Sequence, residues 1–411
     1  MVSRRHSSYI EAAFMTNRRI WFILGALAAV ALCFAFLPGR KPPGSKMAAD
    51  GLPRTKWNTD LGVYASAPAL GQDGTIYAAA SEALHSVSPA GTVNWSVRVP
   101  GLRAAPAVGP DGNVYVGTEY GALMSFTPLG EKLWTSTWTI IGIDSPPAIA
   151  SDGSLYVLNT YGDVFCFKPE QTSDPIWHAD VEREGTYGRL PSPGVRGRVR
   201  SSVVLSPEGT LYAPRGRWLS AFTASGEHLW EKSLSGAALG NIALGADGAI
   251  YTTGTREDQH VYAVNPDGTD RWTLPIPRQI SGGPVLDRHG NIYVTAGARL
   301  YSINPDGSLR WTLDNGENSI DGTPTLAADD TIYFGASSDG LVAVSTDAKI
   351  KWKSRVSYHR QRPMAIAPNG SMYIATDGGN VIALEGTAGL MPSAWPRWQH
   401  DNGNTGRKGT P

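Results

Sequence analysis

The 411-residue chain carries 36 basic and 36 acidic side chains, so its formal net charge is zero. That balance excludes nucleic-acid binding driven by bulk positive charge. With 47 Gly, 29 Pro, 13 Trp and 16 Tyr, the composition is that of many turns and aromatic strands, all-β rather than disordered.

Taken in chain order, residues 1–19 form a short polar leader, and Ile20 to Leu37 (IWFILGALAAVALCFAFL) follows without a charged residue. As a helix this run would reach roughly 27 Å, close to the hydrocarbon core of a bilayer. Arg18 and Arg19 precede it, and Arg40 and Lys41 follow. A short leader ahead of a large polar region predicts the N-terminus inside and the rest exported, with the domain held at the inner (cytoplasmic) membrane on the periplasmic side. Three readings stay open: an uncleaved signal anchor, a signal peptide cleaved after Ala29-Val30-Ala31 and a secreted product, or a lipoprotein anchored at Cys33. Residues 38–56, rich in Pro, Gly and Lys, read as a linker. The only other cysteine is Cys166, in VFCF, which excludes a disulfide framework and reads as a small buried residue.

From residue 57 to about 390 one unit recurs. Eight tryptophans stand in one context (Trp57, Trp95, Trp134, Trp177, Trp230, Trp272, Trp311, Trp352), from 38 residues apart (Trp57 to Trp95) to 53 (Trp177 to Trp230). Between or after them come eight related starts, such as SAPALGQDGTIY, AAPAVGPDGNVY and GGPVLDRHGNIY, each with a central tyrosine. Each unit divides into four short strands. A Pro-led apolar run turns through Asp-Gly into an Ile-Tyr or Val-Tyr strand; a variable loop leads to a third strand; a second Gly turn leads to the Trp strand. One four-stranded sheet cannot bury both faces, whereas radial stacking covers them. The prediction is an all-β, eight-bladed propeller. The chain opens on a lone Trp strand (TKWNTDLG) and ends its repeats lacking one, so the first strand is expected to complete the last blade. The two turn sets share one face; the variable loops and the blade-to-blade links share the other, which is where a repeat protein diversifies. Residues 391–411 read as a C-terminal tail.

The blade pattern, clearest in VYVGTEYGALMSFTPLGEKLW (114–134), is similar to the pyrroloquinoline-quinone-like propeller repeat family. The closing SAWPRWQHDNGNTGR (393–407) resembles a segment that accompanies such propellers. The resemblance implies the propeller fold and a choice of functions: quinone-dependent dehydrogenase, or a non-catalytic scaffold like the outer-membrane barrel-assembly propellers. The family's dehydrogenases use adjacent cysteines over the quinone and an acidic and amide calcium site. This chain has no adjacent cysteines and no matching calcium constellation, so no catalytic residue, metal or cofactor is expected. The histidines are scattered without metal-ligand spacing, and no nucleophile elbow or phosphate loop is present.

Two features break the repeat. Three residues before the Pro-like position of each innermost strand stand Ala65, Arg103, Asp144, Arg200, Leu239, Ser281, Asp321 and Gln361. These converge at the channel mouth, where Arg103, Asp144, Arg200, Asp321 and Gln361 form a candidate binding collar; the alternative is a set of sealing ion pairs. The longest link, His178 to Arg200, carries Arg183, Tyr187, Arg189, Arg196 and Arg198, and a second basic link carries Tyr358, Arg360 and Arg362. Arg and Tyr are enriched at recognition surfaces. The expectation is a monomeric, membrane-tethered scaffold in the cell envelope that binds a protein or an anionic ligand and no nucleic acid; the alternative is a quinone-dependent or polysaccharide-acting enzyme.

Overall fold

The computed structural model describes residues 51–136, 142–169, 174–179, 201–234, 239–254, 258–356 and 362–408, with the side chains of Leu239 and Asp321 excepted. The predicted membrane helix lies outside them, and among the described residues no helix is long and apolar enough to cross a membrane. The described chain forms eight antiparallel four-stranded sheets. Seven are built from consecutive strands. In the eighth, the first strand of the chain, Thr55–Asp60, pairs with Asn380–Leu384 and so supplies the outermost strand of the last blade.

The repeated residues explain each blade. In the first, the innermost strand is Ala69–Leu70 and the second is Ile76–Ala80. Between them Gly71 N–H donates to Thr75 O, and the Asp73 carboxylate accepts from Thr75 N–H. Gly74 takes the left-handed φ of +84° that the turn needs. The Asp-Gly pairs are therefore turn residues. In the same blade Tyr77 on the second strand and Trp95 on the outermost one are both in register with Ser86 on the third. That small side chain lets the two rings meet above it, 6.0 Å between centroids. The other blades repeat the arrangement, with ring separations up to 6.4 Å (Tyr115–Trp134) and down to 5.7 Å (Trp57–Tyr373, the pair that closes the last blade). Cys166 is the small residue beneath the Tyr156–Trp177 pair. Burial pushes its thiol up to about 12, so it is an inert packing group at neutral pH.

The tryptophans also join neighbouring blades. Trp95 Nε1–H donates to Pro128 O in the outer turn of the next blade, and Trp57, Trp177, Trp230, Trp272 and Trp311 donate likewise to Pro89, Ala224, Pro266, Pro305 and Thr346. The turn glycine lies under the ring: a Cβ on Gly91 would sit 2.6 Å from Trp57, and φ there is +90°. Glycine at that position serves the turn and the ring contact at once. The latch between Trp57 and Gly91 joins the last blade to the first, so the ring closes on itself.

The floor of the channel is built by residues that follow the last blade. Residues 389–408 cross the end of the ring at the Asp-Gly turns. The last amide of the innermost strand, at Leu70, Val108, Ile149, Leu205, Leu286 and Leu326, donates to Asn402 O, Gly403 O, Thr405 O, Gly406 O, Trp395 O and Pro396 O, at 2.7–2.9 Å. Ile366 N–H donates to Asn402 Oδ1, and Lys408 Nζ donates to Gly245 O and Ala246 O of the fifth blade. One short strap therefore touches all eight blades. Trp395 and Arg397 are buried in it. Gln399, His400 and Asn404 hold left-handed backbone conformations, which the surrounding bonds must stabilise.

Asp401 organises the strap's tight turn. Its carboxylate accepts from Thr405 N–H at 3.0 Å and from the Thr405 hydroxyl at 2.5 Å, and His400 Nδ1 lies 3.9 Å away. Burial alone would raise its pKa, but His400 and Thr405 outweigh that and hold it below the ordinary carboxylate range. A depressed carboxylate contributes stability that is present above its unfolded pKa and is lost as pH falls through the folded one. Unfolding midpoints measured from pH 7 down to pH 3 should therefore fall for the native chain. In Asp401→Asn that part of the acid dependence should vanish, from a lower starting midpoint. An unaltered acid slope in the variant would contradict this role.

Candidate binding face

Strand order puts the blade-to-blade links and the variable loops on the face opposite the strap. There the links are clasped between the loops of the blades they join. In the link from the eighth blade to the first, Leu61 N–H donates to Gly379 O of one blade, and Ser81 N–H of the other donates to Val63 O. Val63 N–H donates in turn to the Ser81 hydroxyl. Ser81 and Glu82 both have positive φ, as a two-residue hairpin turn requires. The braced link holds Tyr64 at φ +59° with its ring 74% exposed, and Arg362 Nη1 donates to its carbonyl at 2.9 Å.

The next link repeats this theme. Glu119 N–H, in the second blade's loop, donates to Gly101 O, and Arg103 Nε meets Glu119 Oε2 at 2.9 Å. Tyr120 lies over Gly101, where a Cβ would come within 2.6 Å of its ring, and the ring is 62% exposed. Val63, Tyr64 and Tyr120 are the large exposed apolar side chains among the described links and loops of this face. All three fall in the sector from the eighth blade to the second. A Tyr held on a braced loop has little freedom to lose on binding, which favours it as an anchor.

The opposite sector is closed by its own bonds. Around the fifth to seventh blades the innermost strands extend over Leu239–Leu244, Ile280–Leu286 and Ile320–Leu326. Glycines let them approach: a Cβ on Gly282 would lie 2.1 Å from Gly322 O. Asn241 Nδ2 donates to Thr323 Oγ1, as does Gly283 N–H, and Trp398 of the strap donates from Nε1 to Asn241 Oδ1. Outside them Asp339 accepts from Asn315, Asn318 and Lys353, and the Lys353 ammonium holds it below the ordinary carboxylate range.

Of the predicted collar, Arg103 reaches outward to a loop carboxylate of its own blade rather than across the mouth, and Asp144 is half-buried in the following link. Ser281 Oγ donates to Ile320 O, and Ala65 is buried. Arg200, Gln361, Arg183, Tyr187, Arg189, Arg196, Arg198, Tyr358 and Arg360 lie outside the described residues, as does the Asp321 side chain. Tyr64 and Tyr120 were not singled out from sequence. The available signal was a tyrosine inside a short link or loop, where no strand partner can bury it. Among the described residues no three His, Cys, Asp or Glu side chains gather as a metal-ligand set.

Residues 257–391 match the family described as outer membrane protein assembly factor BamB. No curated protein sequence matches the chain. Among solved structures the chain is similar to BamB from Moraxella catarrhalis, with a TM-score of 0.59 and 13% identity over 81% of this chain and all of that one. It is also similar to virginiamycin B lyase from Staphylococcus aureus, with a TM-score of 0.50 and 11% identity over 80% of this chain and 99% of that one. The chain carries a pyrroloquinoline-quinone-like propeller that resembles BamB.

Proposed function

We propose, from the premise of a propeller that resembles an outer-membrane assembly factor, that this chain is a non-catalytic scaffold of the cell envelope. The N-terminal apolar run tethers it at the membrane, with the propeller on the exported side. It engages an envelope protein through the face opposite the strap, and the carrying observation is the sector of Tyr64, Val63 and Tyr120 with Arg103 beside it. Exposed, pre-positioned tyrosines next to arginine are the composition of interface anchors. The basic links, with Arg183, Tyr187, Arg189, Arg196, Arg198, Tyr358, Arg360 and Arg362, extend the same face, and Asp144, Arg200, Asp321 and Gln361 border its centre.

The test is site-specific crosslinking from this face in envelope extracts, comparing the native chain with a Tyr64→Ala, Tyr120→Ala double variant. Two anchors at about 2 kcal/mol each predict a fall in partner affinity of at least about a hundredfold. The unfolding midpoint should stay near native, because both rings are exposed. Unchanged capture by the double variant would sink the sector as the contact. Arg189→Glu with Arg196→Glu examines the long link in the same assay, and carbonate extraction of membranes reports on the tether.

A further inference from the structure

The two exposed tyrosines are joined by one continuous run of braced backbone. The link that carries Tyr64 is held through Ser81, whose N–H donates to Val63 O. The next residue, Glu82, has φ +56° and offers its carbonyl to Val99 N–H, where the link to the second blade begins. That link continues to Gly101, whose carbonyl accepts from Glu119 N–H beside Tyr120. Glu82 therefore stands between Tyr64 and Tyr120 along this run, and Val63 adds apolar surface, 54% exposed, next to Tyr64.

The Glu82 side chain is exposed, and among the described residues nothing pairs with its carboxylate. The charges around it are engaged elsewhere. Arg103 meets Glu119, Arg362 donates to the Tyr64 carbonyl, and Asp60 accepts from Gly62 N–H at 2.9 Å. Arg98 lies opposite Ala83 in the outer strand pair and forms no ion pair with Glu82. The left-handed φ of both Ser81 and Glu82 fixes the hairpin tip, so engaging the carboxylate orders little backbone. A free carboxylate with exposed aromatic rings on either side is the chemistry that recognises a cationic side chain: the charge meets the carboxylate, and the cation and its stem lie against ring faces.

We propose that this sector binds an extended basic segment of a protein partner, given that the sector is the contact face proposed above. An arginine or lysine of the segment lies on Glu82, and its apolar neighbours lie against Tyr64, Val63 and Tyr120. Charge complementarity at Glu82 selects a basic segment over an acidic one.

The experiment titrates a fluorescein-labelled peptide, Gly-Leu-Arg-Gly-Leu-Arg-Gly, with the purified full-length protein in detergent and follows anisotropy. One-to-one saturable binding is expected, with none for the same peptide carrying Glu in place of Arg. Glu82→Gln should weaken binding about tenfold, the effect of a hydrogen bond to a charged acceptor, and Glu82→Lys should abolish it. Tyr120→Leu should weaken it about threefold, and Tyr120→Phe, which keeps the ring face, should leave it unchanged. All four variants should unfold at the native midpoint, because both side chains are exposed. Equal affinity in Glu82→Gln, equal binding of the acidic peptide, or no saturation up to the peptide's solubility would each overturn the proposal. Displacement by tetramethylammonium at matched concentration would reduce the sector to a bare cation site and refute the extended segment. Capture in envelope extracts that is lost in Tyr64→Ala, Tyr120→Ala but unchanged in Glu82→Lys would refute the basic partner and keep the contact face; capture unchanged in both would remove the face as well.

Discussion

Ending the chain after Leu390 should unfold the propeller rather than trim it. The truncation removes six amide-to-carbonyl bonds and one amide-to-side-chain bond at the innermost strands. At about 1 kcal/mol net each they are modest singly. It also removes Trp395 and Met391, 1% and 2% exposed, from the packed clusters of the sixth and seventh blades. A buried Trp cut to Ala costs about 3–5 kcal/mol. The combined loss rivals the whole stability of a typical domain, about 5–15 kcal/mol. Guanidinium unfolding followed by tryptophan fluorescence should find the truncated chain expanded and without a cooperative transition. Trp395→Ala should retain a transition, shifted by about 3–5 kcal/mol. A truncated chain with the native midpoint would show that the strap is ornamental.

Deleting Thr55–Asp60 should instead leave a folded but associating protein. Without that strand Asn380–Leu384 becomes an uncovered edge, and uncovered edges recruit other chains. The ring also loses the Trp57–Tyr373 contact and the Trp57 to Pro89 bond that join the last blade to the first. Light scattering should report species larger than those of the native chain, and a synthetic peptide of residues 52–61 should restore the native size by refilling the edge. The point variant Trp57→Ala keeps the backbone pairing and loses the ring contacts. It should cost about 3 kcal/mol and keep the native size. A strand-deleted chain that keeps the native size at high concentration would mean that the eighth blade needs no closing strand.

The blades were legible in the sequence because their chemistry is repeated. The turn glycines, the Tyr–Trp pairs and the small residue between them return in unit after unit, with tryptophans 38 to 53 residues apart. The lone Trp57 strand declared its partner by being surplus at one end and missing at the other. The strap was not legible in this way. It occurs once, it has no periodicity, and most of its contacts run through backbone carbonyls, which any side chain can accompany. The tail's Asn, Asp and Gly density, with Trp395 and Trp398 among them, was the available hint that it folds back onto something. The surroundings of the collar positions were hidden for a related reason. Counting positions along the innermost strands identified Arg103, but its partner Glu119 comes from a loop that the repeat does not constrain.

The strap also governs when the molecule can finish folding. The first strand meets Ala383 and its neighbours across more than three hundred residues of chain, and the innermost amides of the earliest blades wait for Asn402 and Gly403. Contacts so distant in sequence form slowly, because loop closure precedes any reward. A nascent chain emerging from a ribosome or a translocation pore can assemble individual sheets, yet it stays an open arc until residues 402–408 are released. Maturation thus waits on the strap, and the interval before it is when unsealed blades are most exposed to proteases, chaperones and each other.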